Sequence, residues 1–168
     1  MKQTRRFRQT LPLLALLAGP AVAMAQGAAT DGDASAGVDE ARQLLQAGRE
    51  EIVRDDLRLT GDEAAAFWPI YARYQDDLQP IRNRYAELLA KYLELYRAGA
   101  VSEKFANQMV DQYLDIQADI LSVKKKYLRQ FRKALSARKA TRFYQLENKM
   151  EAELQGQLAQ IVPLIDPV

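Results

Sequence analysis

The chain has no cysteine and no histidine among its 168 residues. Without cysteine there are no disulfides, so the fold rests on apolar burial alone. Without either residue the usual zinc and copper sites cannot be built. Relays of the Ser-His and Cys-His kind are excluded for the same reason. Long apolar runs are missing too. The longest candidate, Leu11 to Leu17, falls well short of the roughly 20 residues that span a bilayer as a helix. No stretch alternates apolar and polar residues as a half-buried strand does. The carboxylate pairs Asp55-Asp56 and Asp76-Asp77 are adjacent, and successive helical residues point about 100° apart, so neither pair shares a proton or a metal neatly. These absences predict a protein that is no enzyme, with no catalytic residues, no cofactor and no metal.

What is present starts at the N-terminus. Lys2, Arg5, Arg6 and Arg8 precede the short apolar run, and Ala23-Met24-Ala25 follows it ahead of Gln26. That order predicts a signal peptide over 1–25, cleaved after Ala25, and export to the periplasm. Phe7 falls one place early for a twin-arginine signal. The intact chain carries a formal charge of +2. All four signal-peptide charges are positive, so residues 26–168 keep 20 basic and 22 acidic side chains, net −2. Neither that charge nor export suits nucleic-acid binding, and no nucleic-acid partner is expected.

Residues 26–37 (QGAATDGDASAG) are small and polar and read as a flexible leader. Asp31-Gly32-Asp33 begins like a calcium loop. Its glycine, however, falls at Gly37 rather than Ala36, and Arg42 stands where a glutamate belongs, so the reading fails. The remainder, 38–168, reads as a single helical domain of four segments. The first runs from about Asp39 to Asp56. The second follows a capping box, Thr60-Gly61-Asp62-Glu63, and runs to about Ala98 before Gly99. Its stripe Phe67, Tyr71, Tyr74, Leu78, Ile81, Tyr85, Leu88, Tyr92, Leu95 alternates steps of four and three, the period of a coiled-coil seam. Pro69 and Pro80 lie inside it, which predicts bends there or a start nearer Pro69. The third opens at Ser102 and carries two stripes, one from Phe105 to Phe131 and one at Leu114, Leu121, Leu128 and Leu135. Such a broad face suits a helix with more than one neighbour. The fourth opens at Ser136 and ends before Pro163. The fold class is therefore all-α: an elongated antiparallel helical hairpin or bundle of about four helices with two long central ones. A thin bundle leaves seams uncovered unless it dimerises, so a homodimer is expected.

Two helix starts resemble each other: Leu59-Thr60-Gly61-Asp62-Glu63 and Leu135-Ser136-Ala137-Arg138-Lys139. Each sets a leucine before a hydroxyl cap. With the signal peptide, size and helix order, they make the chain similar to the Spy/CpxP group of small periplasmic helical proteins, marked by paired Leu-Thr-x-x-Gln boxes. Here Glu63, Ser136 and Lys139 replace residues of that pattern. The chain also resembles short exported proteins with a Phe-Trp-Pro-x-Tyr element (Phe67-Trp68-Pro69-Ile70-Tyr71) and a later Glu-Asn-Lys (Glu147-Asn148-Lys149). The first resemblance implies an ATP-independent chaperone for unfolded or partly folded proteins, or a stress adaptor acting on a membrane sensor.

Two surfaces are candidates for that work. Tyr71, Tyr74, Tyr85 and Tyr92, with Tyr113, Tyr127 and Phe131 facing them, form an aromatic stripe for client binding; Phe105 and Met109 extend it. Tyrosine suits a half-wet groove, because a buried hydroxyl demands a partner where leucine demands none. The alternative is plain core or dimer packing. The second surface is basic: Lys124, Lys125, Lys126, Arg129, Arg132, Lys133, Arg138, Lys139 and Arg142, with no acid between Asp119 and Glu147. Residues 31–63 hold ten acids against four bases. The split predicts either internal pairing or an anionic partner, such as lipid headgroups or acidic clients.

Overall fold

A computed structural model describes residues 47–165. The expected signal peptide, the leader and the start of the first helix lie outside the described residues. The chain divides into two compact units, Met1–Ile52 and Val53–Val168. Of the first, the described residues 47–52 are helical. Among the described residues 88% are helical, in four helices, and there is no strand, which fixes the class as an all-α bundle. The helices are α1 (residues 47–57), α2 (Gly61–Arg97), α3 (Glu103–Ala134) and α4 (Ala137–Ile161). At about 1.5 Å per residue, α2 and α3 are each roughly 50 Å long.

Local chemistry sets the helix ends. Thr60 accepts from the Glu63 amide while Glu63 Oε2 accepts from the Thr60 amide at 2.9 Å, closing the capping box. Ser102 and Ser136 accept from the Phe105 and Lys139 amides. After α2 the Ala100 amide donates to the Leu95 carbonyl and the Gly99 amide to the Tyr96 carbonyl. That Schellman arrangement needs a left-handed residue, supplied by Gly99 at φ +61°.

α2 does not start near Pro69. It is one unbroken helix from Gly61, with Pro69 and Pro80 both inside. An interior proline costs about 3 kcal/mol, and neighbouring burial offsets it. Phe67 and Tyr71 flank Pro69, and Leu78 and Ile81 flank Pro80; all four are buried.

α3 runs antiparallel to α2. Asp77 pairs with Lys126 at 2.7 Å, Arg84 with Asp119, and the Tyr85 and Tyr113 rings meet at 5.9 Å. α4 runs parallel to α2, since Phe67 meets Phe143, Tyr74 meets Glu147, Tyr85 meets Gln155 and Tyr92 meets Pro163 in ascending order. The core lies among these three helices, with Val53 and Leu57 of α1 added at its lower end. Its centre is aromatic. Phe67, Tyr71, Tyr74, Tyr127, Phe131 and Phe143 form a continuous network of ring contacts, the tightest being Phe131 with Phe143 at 4.5 Å. Edge and tilted pairs of this kind add to plain area burial.

The Phe67-to-Tyr71 element and Glu147 thus meet in one core. Trp68 sits at its margin, with the Arg54 guanidinium 4.4 Å over the ring. The two leucine-hydroxyl boxes also meet. Glu63, three residues into the first, pairs with Lys139, three residues into the second, and Lys139 Nζ also donates to the Arg58 carbonyl at 3.2 Å. The similar helix starts are side by side and joined by opposite charges.

Candidate binding surface

The aromatic stripe is mostly interior. Tyr71, Tyr74, Tyr92, Tyr127 and Phe131 are buried; Tyr85 is half-buried and Tyr113 is 39% exposed. Phe105 and Met109 are half-buried. The hydroxyls explain why tyrosine occupies these positions. Tyr74 donates to Glu147 Oε2 at 3.1 Å, Tyr85 to Gln155 Oε1 at 3.3 Å and Tyr92 to the Pro163 carbonyl at 2.7 Å. Tyr127 reaches both the Arg73 carbonyl and Asp77 Oδ2, at 3.0 and 2.9 Å. Burial raises the Tyr74 hydroxyl far above its ordinary range, and the Glu147 carboxylate adds to the effect. Burial likewise raises Tyr85 and Tyr127, and holds Tyr144 at about 12. These hydroxyls cross-brace the helices. A client approaching this conformation reaches only Tyr85 and Tyr113 of the set.

The basic segment divides. Lys126 pairs with Asp77, Lys139 with Glu63, and Arg142 with Asp56, the last by a two-armed contact with Nη2 to Oδ2 at 2.8 Å. Asp56 and Glu63 belong to the acid-rich stretch, so internal pairing accounts for this part of the charge split. Lys126 holds the Asp77 carboxyl below its usual range, with help from Tyr127, and Lys139 does the same for Glu63 together with the Thr60 amide. Lys124, Lys125, Arg129, Lys133 and Arg138 form no ion pair among the described residues. Arg132 lies close enough to Tyr144 to offset part of the rise in its hydroxyl. All six line the C-terminal half of α3 and the start of α4.

The third surface is the seven-residue stripe that the sequence pattern assigns to a second helix neighbour rather than to binding. The seven-residue stripe on α3 is buried only at Leu135; Leu128 is half-buried, and Leu121 and Leu114 are 50% and 58% exposed. Val110, one turn further on, is 53% exposed. The expected second neighbour is present only at one end. Contacts between α3 and α4 gather at Phe131 with Phe143 and Tyr144, and at the Tyr144 hydroxyl on the Lys124 carbonyl. N-terminal to Lys124, the outward side of α3 has no helix laid against it among the described residues. Val110, Tyr113, Leu114 and Leu121 there form one exposed apolar line at helical spacing.

A shallow groove between α2 and α3 is lined by Ala66, Ile70, Arg73, Gln130, Lys133 and Ala134, two of them basic and none bearing a carboxylate or hydroxyl. No cluster of three or more carboxylates placed to hold a metal ion occurs among the described residues. No described helix is long and apolar enough to cross a membrane. No protein-family model, no curated protein and no solved structure matches the chain.

Proposed function

We propose that the protein is an exported binding protein that holds partly unfolded polypeptides without ATP, along the outward face of α3. The observation that carries this reading is the exposed line Val110, Tyr113, Leu114 and Leu121. Scattered surface leucines are ordinary, but a contiguous exposed apolar stripe marks an interaction site. The stripe is one helix wide. Apolar contact on so narrow a strip holds a client weakly and releases it without a motor. Next to it, Lys124, Lys125 and Arg129 supply longer-range attraction for acidic segments. The resemblance to the Spy/CpxP group points the same way.

The test is light scattering from an aggregating client with the protein added at rising stoichiometry and no ATP. Suppression near equimolar ratio, lost when Leu114 and Leu121 become aspartate, supports the reading. Unchanged aggregation at low and moderate salt refutes it. The unpaired lysines and arginines favour one second reading, binding to an anionic lipid surface. Reversing Lys125, Arg129 and Arg132 to glutamate then abolishes co-sedimentation with anionic vesicles, and undiminished co-sedimentation removes that reading.

A further inference from the structure

We infer that the outward face of α3 is also where a second copy of this chain docks, antiparallel, about a two-fold axis beside Leu121 and Ser122. The apolar stripe alone does not say what covers it; the charge pattern flanking it does. Residues 103–119 of α3 carry Glu103, Asp111, Asp115 and Asp119 against Lys104 alone. Residues 121–133 carry Lys124, Lys125, Lys126, Arg129, Arg132 and Lys133 against no acid. One helix is thus acidic over its first half and basic over its second, with leucines at a seven-residue spacing running through both. Two parallel copies set like against like along the whole seam. Two antiparallel copies set each acidic half against a basic one.

The register follows from symmetry, because a two-fold contact uses the same patch on both copies. With Leu121 at the axis, Leu114 lies opposite the partner's Leu128, and Leu128 opposite the partner's Leu114. Asp115 and Arg129 are centred on Ser122, one residue from that axis, so each Asp115 lies within reach of the partner's Arg129 side chain. Asp111 and Arg132 are centred between Leu121 and Ser122, half a residue from the axis, so they too come within reach of each other across it. Ala118, the small residue between the leucines, allows close approach. Asp111, Asp115 and Arg129 are exposed and form no ion pair among the described residues. Asp119, by contrast, is already taken by Arg84. None of the partner-facing charges is held in an ion pair among the described residues, and Arg132 alone also lies near the Tyr144 hydroxyl.

Sedimentation of the full-length chain tests the contact. The wild type runs as a dimer. Asp111→Arg with Asp115→Arg weakens it at least about tenfold, since four pairs across the two-fold axis turn from attractive to repulsive. Arg129→Asp with Arg132→Asp does the same. All four substitutions in one chain restore every pair with its sign reversed, and the dimer returns with unchanged helical content. A wild-type mass of one chain, or a four-residue variant no more dimeric than the two-residue variants, overturns the inference. If the client-holding reading above is also right, the dimer masks the client surface, and the monomeric Asp111→Arg/Asp115→Arg variant holds more client per chain. A monomeric variant that holds no client removes that reading and leaves the dimer standing.

Discussion

At the scale of single residues, the core spends its polarity on bracing. Glu147 is 3% exposed, and its carboxylate accepts from the buried Tyr74 hydroxyl. Tyr74→Phe removes that donor and keeps the ring, so the loss is about 1–3 kcal/mol, the cost of a buried group left short of a partner. Urea unfolding measures it. Phe131→Ala removes a ring from the centre of the aromatic network and costs about 3–5 kcal/mol by the same method. Titration adds a second signature at both ends of the pH scale. Glu63 and Asp77 have lower values in the folded chain, chiefly through hydrogen bonds from Lys139 and Lys126. They therefore add stability above the ordinary carboxylate range near pH 4, and that stability fades as pH falls through their lowered values. Glu63→Gln with Asp77→Asn flattens the acid limb. The buried tyrosines behave oppositely. Tyr74, Tyr85, Tyr127 and Tyr144 are all raised, so stability holds below about pH 10 and drains as pH rises toward and past 12. Tyrosinate absorbance and loss of helicity rise together in an alkaline titration.

At the scale of elements, helix ends and helix continuity follow different logic. Gly99 ends α2 in a left-handed turn and has open space around its Cα. Gly99→Ala thus pays only for backbone, about 1 kcal/mol. Gly156 lies inside α4, also with open space. There Gly156→Ala stabilises by about 0.5–1 kcal/mol, so the two substitutions shift the urea midpoint in opposite directions. The caps were legible because each is spelled within four residues: Thr60 with Glu63, Ser102 with Phe105, Ser136 with Lys139. The stripe on α2 was legible for the same reason, since its period is local. Proline was a poorer guide. Pro69 and Pro80 signal a break locally, but buried neighbours on both sides keep α2 whole. What the pattern could not carry was partnership over distance. Tyr74 finds Glu147 across 73 residues, and Lys139 finds Glu63 across 76. The leucines at 114 and 121 look like those at 128 and 135, yet only the latter end meets α4. A seven-residue spacing announces a seam without saying which chain supplies its other side.

At the scale of the whole molecule, the described part of the chain keeps most of its aromatic side chains in the core and leaves a mainly aliphatic, charge-split helix face outside, with Tyr113 at its edge. That division assigns stability to α2 with α4 and to the half of α3 they cover. It assigns recognition to the other side of α3. Leu121→Asp consequently leaves urea stability within about 0.5 kcal/mol, as at an ordinary exposed site, while removing both self-association and client holding. The most direct measurement is site-specific photo-cross-linking, with the reactive group at position 121 and, as a control, at exposed position 153 on α4. The probe at 121 joins two chains when the protein is alone and joins chain to client when an unfolding client is present, whereas the probe at 153 gives neither product. Equal products from both positions, or none from 121, contradict the assignment of α3 as the working face.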